Sequence, residues 1–211
     1  MKKKVIITAL ITIVFLVSLL IDLSGFIWIA LLTLLVVLSL LLIIWKSVRR
    51  KSIKSTLRLF GICFLILMFG ILMGLFVPYK QALPNKKLSV SEQIQYIYNS
   101  DQSDRKSLKT YIISHNRELV AERDETRLKK IKGIYTDYID EKIELSEQDK
   151  FNLSMIFHHG KTIEDYEIAH KLATELVESN SKIQNVEWLA KATYDRLLLS
   201  QGKPQKYGTQ H

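Results

Sequence analysis

The stretch "LFGICFLILMFGILMGLFV", residues 59–77, holds 19 residues without a charge. At 1.5 Å rise per residue it makes roughly 28 Å of helix, close to the thickness of a bilayer hydrocarbon core. Thirteen of its residues are Leu, Ile, Phe or Val. At about −0.3 to −0.6 kcal/mol each on an insertion scale, they favour the membrane by roughly 4 to 8 kcal/mol. Working back from this run, residues 26–45 form a second uncharged stretch of 20, and residues 5–21 a third of 17. Three such runs ahead of any amphipathic pattern predict three N-terminal transmembrane helices, at about 5–21, 26–45 and 59–77.

Lys2, Lys3 and Lys4 before the first run look like the basic start of a secretory signal, but no A-x-A site follows. The second run begins after only Asp22, Leu23, Ser24 and Gly25, and "LSGF" lacks the cysteine of a lipoprotein site. The expectation is an uncleaved helical hairpin.

The formal charge of +9 over 211 residues is unevenly spread. Residues 1–78 carry +8, from nine Lys or Arg and the single acid Asp22, whereas residues 79–211 carry +1. The basic residues sit at membrane edges, in Lys2 to Lys4 and in Lys46, Arg49, Arg50, Lys51, Lys54 and Arg58. That distribution is a topology signal, so no nucleic-acid partner is expected. It places the N-terminus and the basic loop in the cytoplasm, the Asp22 turn outside, and after three crossings of the cell membrane the C-terminal domain outside, with Lys80, Lys86 and Lys87 as opposing charges. Cys63, the only cysteine, lies in the third run, so the remainder has no disulfide framework, Cys-based zinc site or thiol nucleophile. Trp45 and Tyr79 fall at the expected interfaces. Gly70 and Gly74 form a G-x-x-x-G step that permits close helix contact, with the other spans or in a homodimer.

"PYKQALPNKK", residues 78–87, carries two prolines and no periodicity; residues 79–88 read as a stalk. From residue 89 to 211 the pattern is amphipathic and helical, predicting an all-α domain of five or six helices. Capping boxes are expected at Ser89 with Glu92, Ser146 with Asp149, and Thr162 with Asp165. A break is expected at Gly133 or soon after Ile139, with stops at Gly160 and Gly202. Inward faces are expected for Leu153, Ile156 and Phe157, for Ile168, Leu172 and Leu176, and, after an Asn185 cap, for Trp188, Ala192 and Leu198.

The polar residues that could carry chemistry are His158, His159, His170, Asp195 and Arg196. No H-E-x-x-H, no His-Asp dipeptide of the HD-type metal phosphohydrolases, no G-x-S-x-G elbow and no glycine-rich phosphate loop is present. Neither a metal nor a cofactor is therefore expected. A capping role suits His158 and His159 at a helix C-terminus, where a cation complements the dipole. Asp195 next to Arg196 also fits an exposed helical pair.

These positions recur together. Asp101, Gln102, Asp104 and Arg105, then Arg123, Asp124 and Arg127, then His159 and Gly160, then Asp195 and Arg196, and finally "GKPQKYGTQ" at 202–210 form one pattern. From about Asp101 to Gln210 the chain resembles an uncharacterised bacterial domain family of unknown function. Its members read D-Q-x-D-R, R-D-x-x-R, Q-H-G, and D-R before G-K-P-Q-x-Y-G-T-Q. His158 departs from the family, which has Gln there, and the membrane helices fall outside the resemblance. The resemblance implies that His159, Asp195, Arg196, Gln205 and Tyr207 share one site, and that the polar tail is an ordered strap folded back near His159.

Imidazole, carboxylate, guanidinium and amide together suit either acid-base work or recognition of a charged ligand. The first expectation is a membrane-anchored, extracytoplasmic binding module for a peptide or small polar ligand, with immunity against a membrane- or wall-active agent, or a stress role, as concrete versions. Asp101, Gln102, Arg105, Arg127, Gln205 and Tyr207 would contact that ligand. The alternatives are a hydrolase-like enzyme with His159 as base, Asp195 orienting it and Arg196 stabilising negative charge, or a purely structural polar network.

Overall fold

The computed structural model describes residues 25–210. Among them are eight helices and no strand: α1 (Gly25–Val48), α2 (Lys54–Phe76), α3 (Val90–Lys106), α4 (Leu108–Ile112), α5 (Ser114–Ile139), α6 (Glu147–His158), α7 (Ile163–Glu178) and α8 (Val186–Ser200). The chain divides into two compact units. One contains residues 25–79 and Lys106–Asn116; the other contains Lys80–Arg105 and residues 117–210.

In the first unit, α1 and α2 pack together as a hairpin. Two segments, Ile29–Val48 and Lys54–Leu72, are long and apolar enough to cross a membrane. Only 6% of either apolar window is buried, which a soluble core helix would not show. The described residues thus hold two such helices where three were expected, because residues 5–21 lie outside them. Helix α2 begins five residues before the predicted 59, since the polar turn "KSTLR" is helical as well. At the hairpin turn Lys46 Nζ donates to Thr56 Oγ1 at 2.6 Å, while Arg49 and Lys51 lie over the Trp45 ring at 5.0 and 5.3 Å. Helix α2 stops at Val77, before Pro78, which cannot continue a helix.

The second unit packs α6 against α7 and α7 against α8. All three expected capping boxes form. Ser89 N–H donates to Glu92 at 2.9 Å, and the Ser146 with Asp149 and Thr162 with Asp165 boxes close in both directions. The main core joins Ile94 and Ile97 of α3, Leu128, Ile131 and Ile134 of α5, Leu153, Ile156 and Phe157 of α6, and Ala169 and Leu172 of α7. Each fully buried large side chain here contributes about 1.5–3 kcal/mol. Small residues set the α6–α7 approach, where Ser154 Oγ donates to the Ala169 carbonyl at 2.8 Å. A second cluster, Phe151, Ala173, Leu176, Val186 and Leu189, seats α8.

Helix α5 runs straight through Gly133 and ends at Ile139, the second of the two expected breaks. Other expectations need correcting. Asn185 occupies the N-cap position of α8 in the left-handed region, φ 69°, without a side-chain cap bond. Trp188 is half exposed, not inward. It lines an open cleft of about 540 Å³ with Val177, Ile183 and Val186, where the α7–α8 connection supplies no packed layer. Residues 80–88 do not stand free as a stalk. Leu83 packs on the main core and the Gln81 carbonyl accepts from Ser100 Oγ at 2.9 Å.

Candidate functional site

Helices α3 and α5 face each other with two charge stripes written in complementary order. On α3, Asp101, Asp104 and Arg105 recur at i, i+3 and i+4; on α5, Arg123, Asp124 and Arg127 recur at i, i+1 and i+4. Those spacings put each trio on one helix face. The fully buried Asp104 accepts from Arg123 Nε at 2.7 Å and from Arg127 Nη2. Asp124 accepts from Arg105 Nη2 at 3.0 Å and Arg127 Nη1 at 2.8 Å. Ser100 Oγ accepts from Arg127 Nη2 at 3.0 Å, and the Lys80 carbonyl accepts from Arg123 Nη2. Three carboxylates and three guanidinium groups thus balance inside a largely buried cluster.

His159, the C-cap of α6, reaches this cluster because α6 ends one residue earlier. Its Nδ1 accepts from Arg105 Nε at 2.9 Å and lies 3.1 Å from Asp101 Oδ2. One nitrogen cannot satisfy both neighbours at once. With a lone pair it accepts from Arg105, and with a proton it donates to Asp101. Asp101 is fully buried, which would raise its pKa. The His159 hydrogen bond and the charges of His159, Arg105 and Arg127 outweigh that and hold it below the ordinary value. Gln102 Nε2 donates to Asp101 at 3.0 Å. Arg105 and His159 keep 25% and 17% of their side-chain surface exposed, so the cluster has an accessible edge.

His158, the residue before, is nearly buried, and its Nδ1 has no hydrogen-bond partner among the described residues. Burial, reinforced by the neighbouring His159, Arg196 and Arg105, pushes its pKa down to about 3, so the ring is neutral at physiological pH.

The tail folds back on α8. Asp195, fully buried on α8, accepts from Lys206 N at 2.8 Å, Tyr207 N at 2.9 Å, Thr209 N at 2.9 Å and Thr209 Oγ1 at 2.8 Å. Burial alone would raise its pKa; these four donors hold it at about 2. Gln205 and Gln210 clasp reciprocally, Gln205 Nε2 donating to the Gln210 carbonyl and Gln210 N to Gln205 Oε1, at 2.7 and 2.8 Å. Arg196 Nε donates to Gln210 Oε1 at 2.7 Å. Tyr207 stands next to Tyr194, which stacks in turn on His170, ring centroids 6.1 and 5.1 Å apart.

The residues expected to share one site therefore fall into two groups. Asp101, Gln102, Arg105, Arg127 and His159 converge; Asp195, Arg196, Gln205 and Tyr207 form the strap's seat. The His159–Asp195 pair is not formed, because both Asp195 oxygens serve the strap while Asp101 takes the position beside His159. The strap's bonds run to α8, and no bond joins it to His159 among the described residues. Tyr166 lies between the groups, its hydroxyl donating to the Gly160 carbonyl at 2.7 Å while Arg196 lies 6.0 Å over its ring. Ser100 and Tyr166 were missed. Ser100, one residue before the D-Q-x-D-R step and on its buried face, carried the better signal. Comparison with models of protein families, with curated proteins and with solved structures found no match.

Proposed function

We propose that the chain is a membrane-anchored binding module whose helical unit lies outside the cytoplasm and takes a short peptide or small polar ligand bearing charges of both signs. The observation that carries this reading is the accessible edge of the α3–α5 cluster. Arg105 presents part of its guanidinium at that edge, where it would attract a ligand carboxylate, and the partly exposed Asp124 beside it suits a ligand amine. Because the cluster is already balanced, a ligand of one sign alone would leave a buried charge uncompensated. The basic residues Lys46 to Arg58 around the α1–α2 turn support a cytoplasmic turn and an external C-terminal unit. Gly70 is buried within the chain, which supports a packing role for it there.

Full-length protein in nanodiscs, titrated against short zwitterionic peptides, tests this reading. Wild type should bind, and Arg105→Gln should bind at least tenfold more weakly while melting within a few degrees of wild type, since its side chain is partly exposed. Equal binding by the variant, or no binding across the set, would sink the idea. Arg127 would be the wrong residue to change. It is fully buried, and its loss would strand Asp104 and Asp124 at about 3–5 kcal/mol.

A second reading, acid-base catalysis, rests on the Asp101 carboxylate beside His159 Nδ1, which would orient the ring as a general base requires. It predicts an ester or phosphoester hydrolysis that His159→Gln abolishes and Asp195→Asn retains.

A further inference from the structure

Between Arg105 and Arg117 the chain leaves the second unit and joins the first for eleven residues, Lys106–Asn116. The one-turn helix α4 there packs on both α1 and α2. Its sidedness is inverted. Lys109 and Thr110, the polar residues, are buried. Lys109 Nζ donates to the carbonyl of Val77, the extended residue that caps α2, and sits 3.8 Å above the Tyr79 ring. Thr110 Oγ1 and Tyr79 Oη lie 2.8 Å apart, and Asn116 Nδ2 donates to the Lys109 carbonyl at 3.1 Å. The apolar residues point the other way: Tyr111, Ile112 and Ile113 are 52%, 59% and 39% exposed.

In water this arrangement is backwards, since it hides a cation and displays two isoleucines and a tyrosine. Against lipid it is the expected one. There polar groups must find partners within the protein, and apolar side chains face outward. On α2, against which α4 packs, Phe76, next to Val77, is itself largely exposed. Lys109 also places a donor and a positive charge at the C-terminal end of α2, where both are favourable when water is scarce.

We propose that α4 is an interfacial anchor. Tyr111, Ile112 and Ile113 insert at the boundary of headgroups and acyl chains in the leaflet where α2 ends, and the occupant of this face is the lipid surface. The inference rests on α1 and α2 spanning the bilayer. Its consequence is that the chain is fixed to the membrane at a second point, 32 residues along from Val77 at Lys109.

Spin labels separate the two claims. In a Cys63→Ala background, the full chain carrying Ile112→Cys or Leu65→Cys is labelled and reconstituted into vesicles of phosphatidylcholine and phosphatidylglycerol. Accessibility to oxygen and to a water-soluble nickel complex is then measured. Leu65, exposed on α2, should report the hydrocarbon interior. Ile112 should favour oxygen over nickel by several-fold relative to label free in water, at a shallower depth than Leu65. Nickel accessibility at Ile112 equal to that of free label, with Leu65 still deep, would overturn the anchor and leave the spans standing. Nickel accessibility at both positions would overturn the spans. Ile113→Cys, labelled in the same way, guards against a local disturbance at Ile112.

Discussion

Asp195 shows how one carboxylate can hold a whole segment. Four donors from the strap converge on its two oxygens, so Asp195→Asn removes the charge and turns an amide donor toward backbone N–H groups. Lost charged hydrogen bonds of this kind cost about 1.5–3 kcal/mol each, with partial compensation from water at the strap. A drop of about 2–4 kcal/mol, with faster amide exchange over residues 203–210, is the expected outcome. The pH dependence follows from the lowered pKa. The unfolded chain takes up this proton near 3.8 and the folded chain only near 2, so the stabilisation is complete above about pH 5 and is lost as pH falls toward 2. Melts of wild type and Asp195→Asn should therefore converge in acid. His158 acts in a higher window. Unfolded chains protonate it below pH 6.5 and the folded chain resists until about 3, so wild type loses up to about 1.4 kcal/mol per pH unit on acidification within that range. His158→Gln, which keeps an uncharged hydrogen-bonding group in the same place, should flatten that slope and leave the melting temperature at pH 7.5 nearly unchanged. An unaltered slope would mean that another group titrates there.

At the scale of elements, the α6–α7 connection depends on one missing methyl. A Cβ on Gly160 would lie 2.4 Å from Asp165 Cβ, and Asp165 closes the α7 capping box while pairing with Lys132 Nζ at 2.6 Å. Because the clash is with a Cβ rather than a flexible tip, Gly160→Ala must displace the box, costing about 1–3 kcal/mol. Gly133, exposed inside α5 with open space around it, is the counter-case, and Gly133→Ala should stabilise by about 0.5–1 kcal/mol. Thermal melts of the pair should move in opposite directions. The boxes at Ser89, Ser146 and Thr162 were legible in the sequence because donor and acceptor stand three residues apart. The α3–α5 pairing was not. Each trio could be seen to share a face, but which faces meet depends on the core formed by Ile94, Ile97, Leu128 and Ile131. Trp188 was misread because it stands one helical turn before the buried Ala192, while the connection before α8 leaves nothing to bury it against.

For the whole molecule, hydropathy located the two apolar helices of the described residues, since 19 or 20 uncharged residues leave little else to form. It could not show the return of Lys106–Asn116 to the first unit, because an inverted segment and an ordinary amphipathic one have the same composition. Orientation is open to direct measurement. With Cys63 removed, Lys206→Cys on the exposed strap should react with a membrane-impermeant maleimide in intact cells; labelling only after lysis would place the helical unit in the cytoplasm.

The α3–α5 cluster has one further consequence, which concerns covalent continuity. The segments that leave and re-enter the second unit are joined to each other by Arg123 and Arg127 on Asp104 and by Arg105 on Asp124, above a shared apolar core. The peptide bonds of Lys106–Asn116 are therefore not what holds α3 beside α5. Were the chain nicked there, the two pieces of the second unit would stay associated through these ion pairs and that core, so the second unit is in effect a split protein whose halves hold together without the intervening loop.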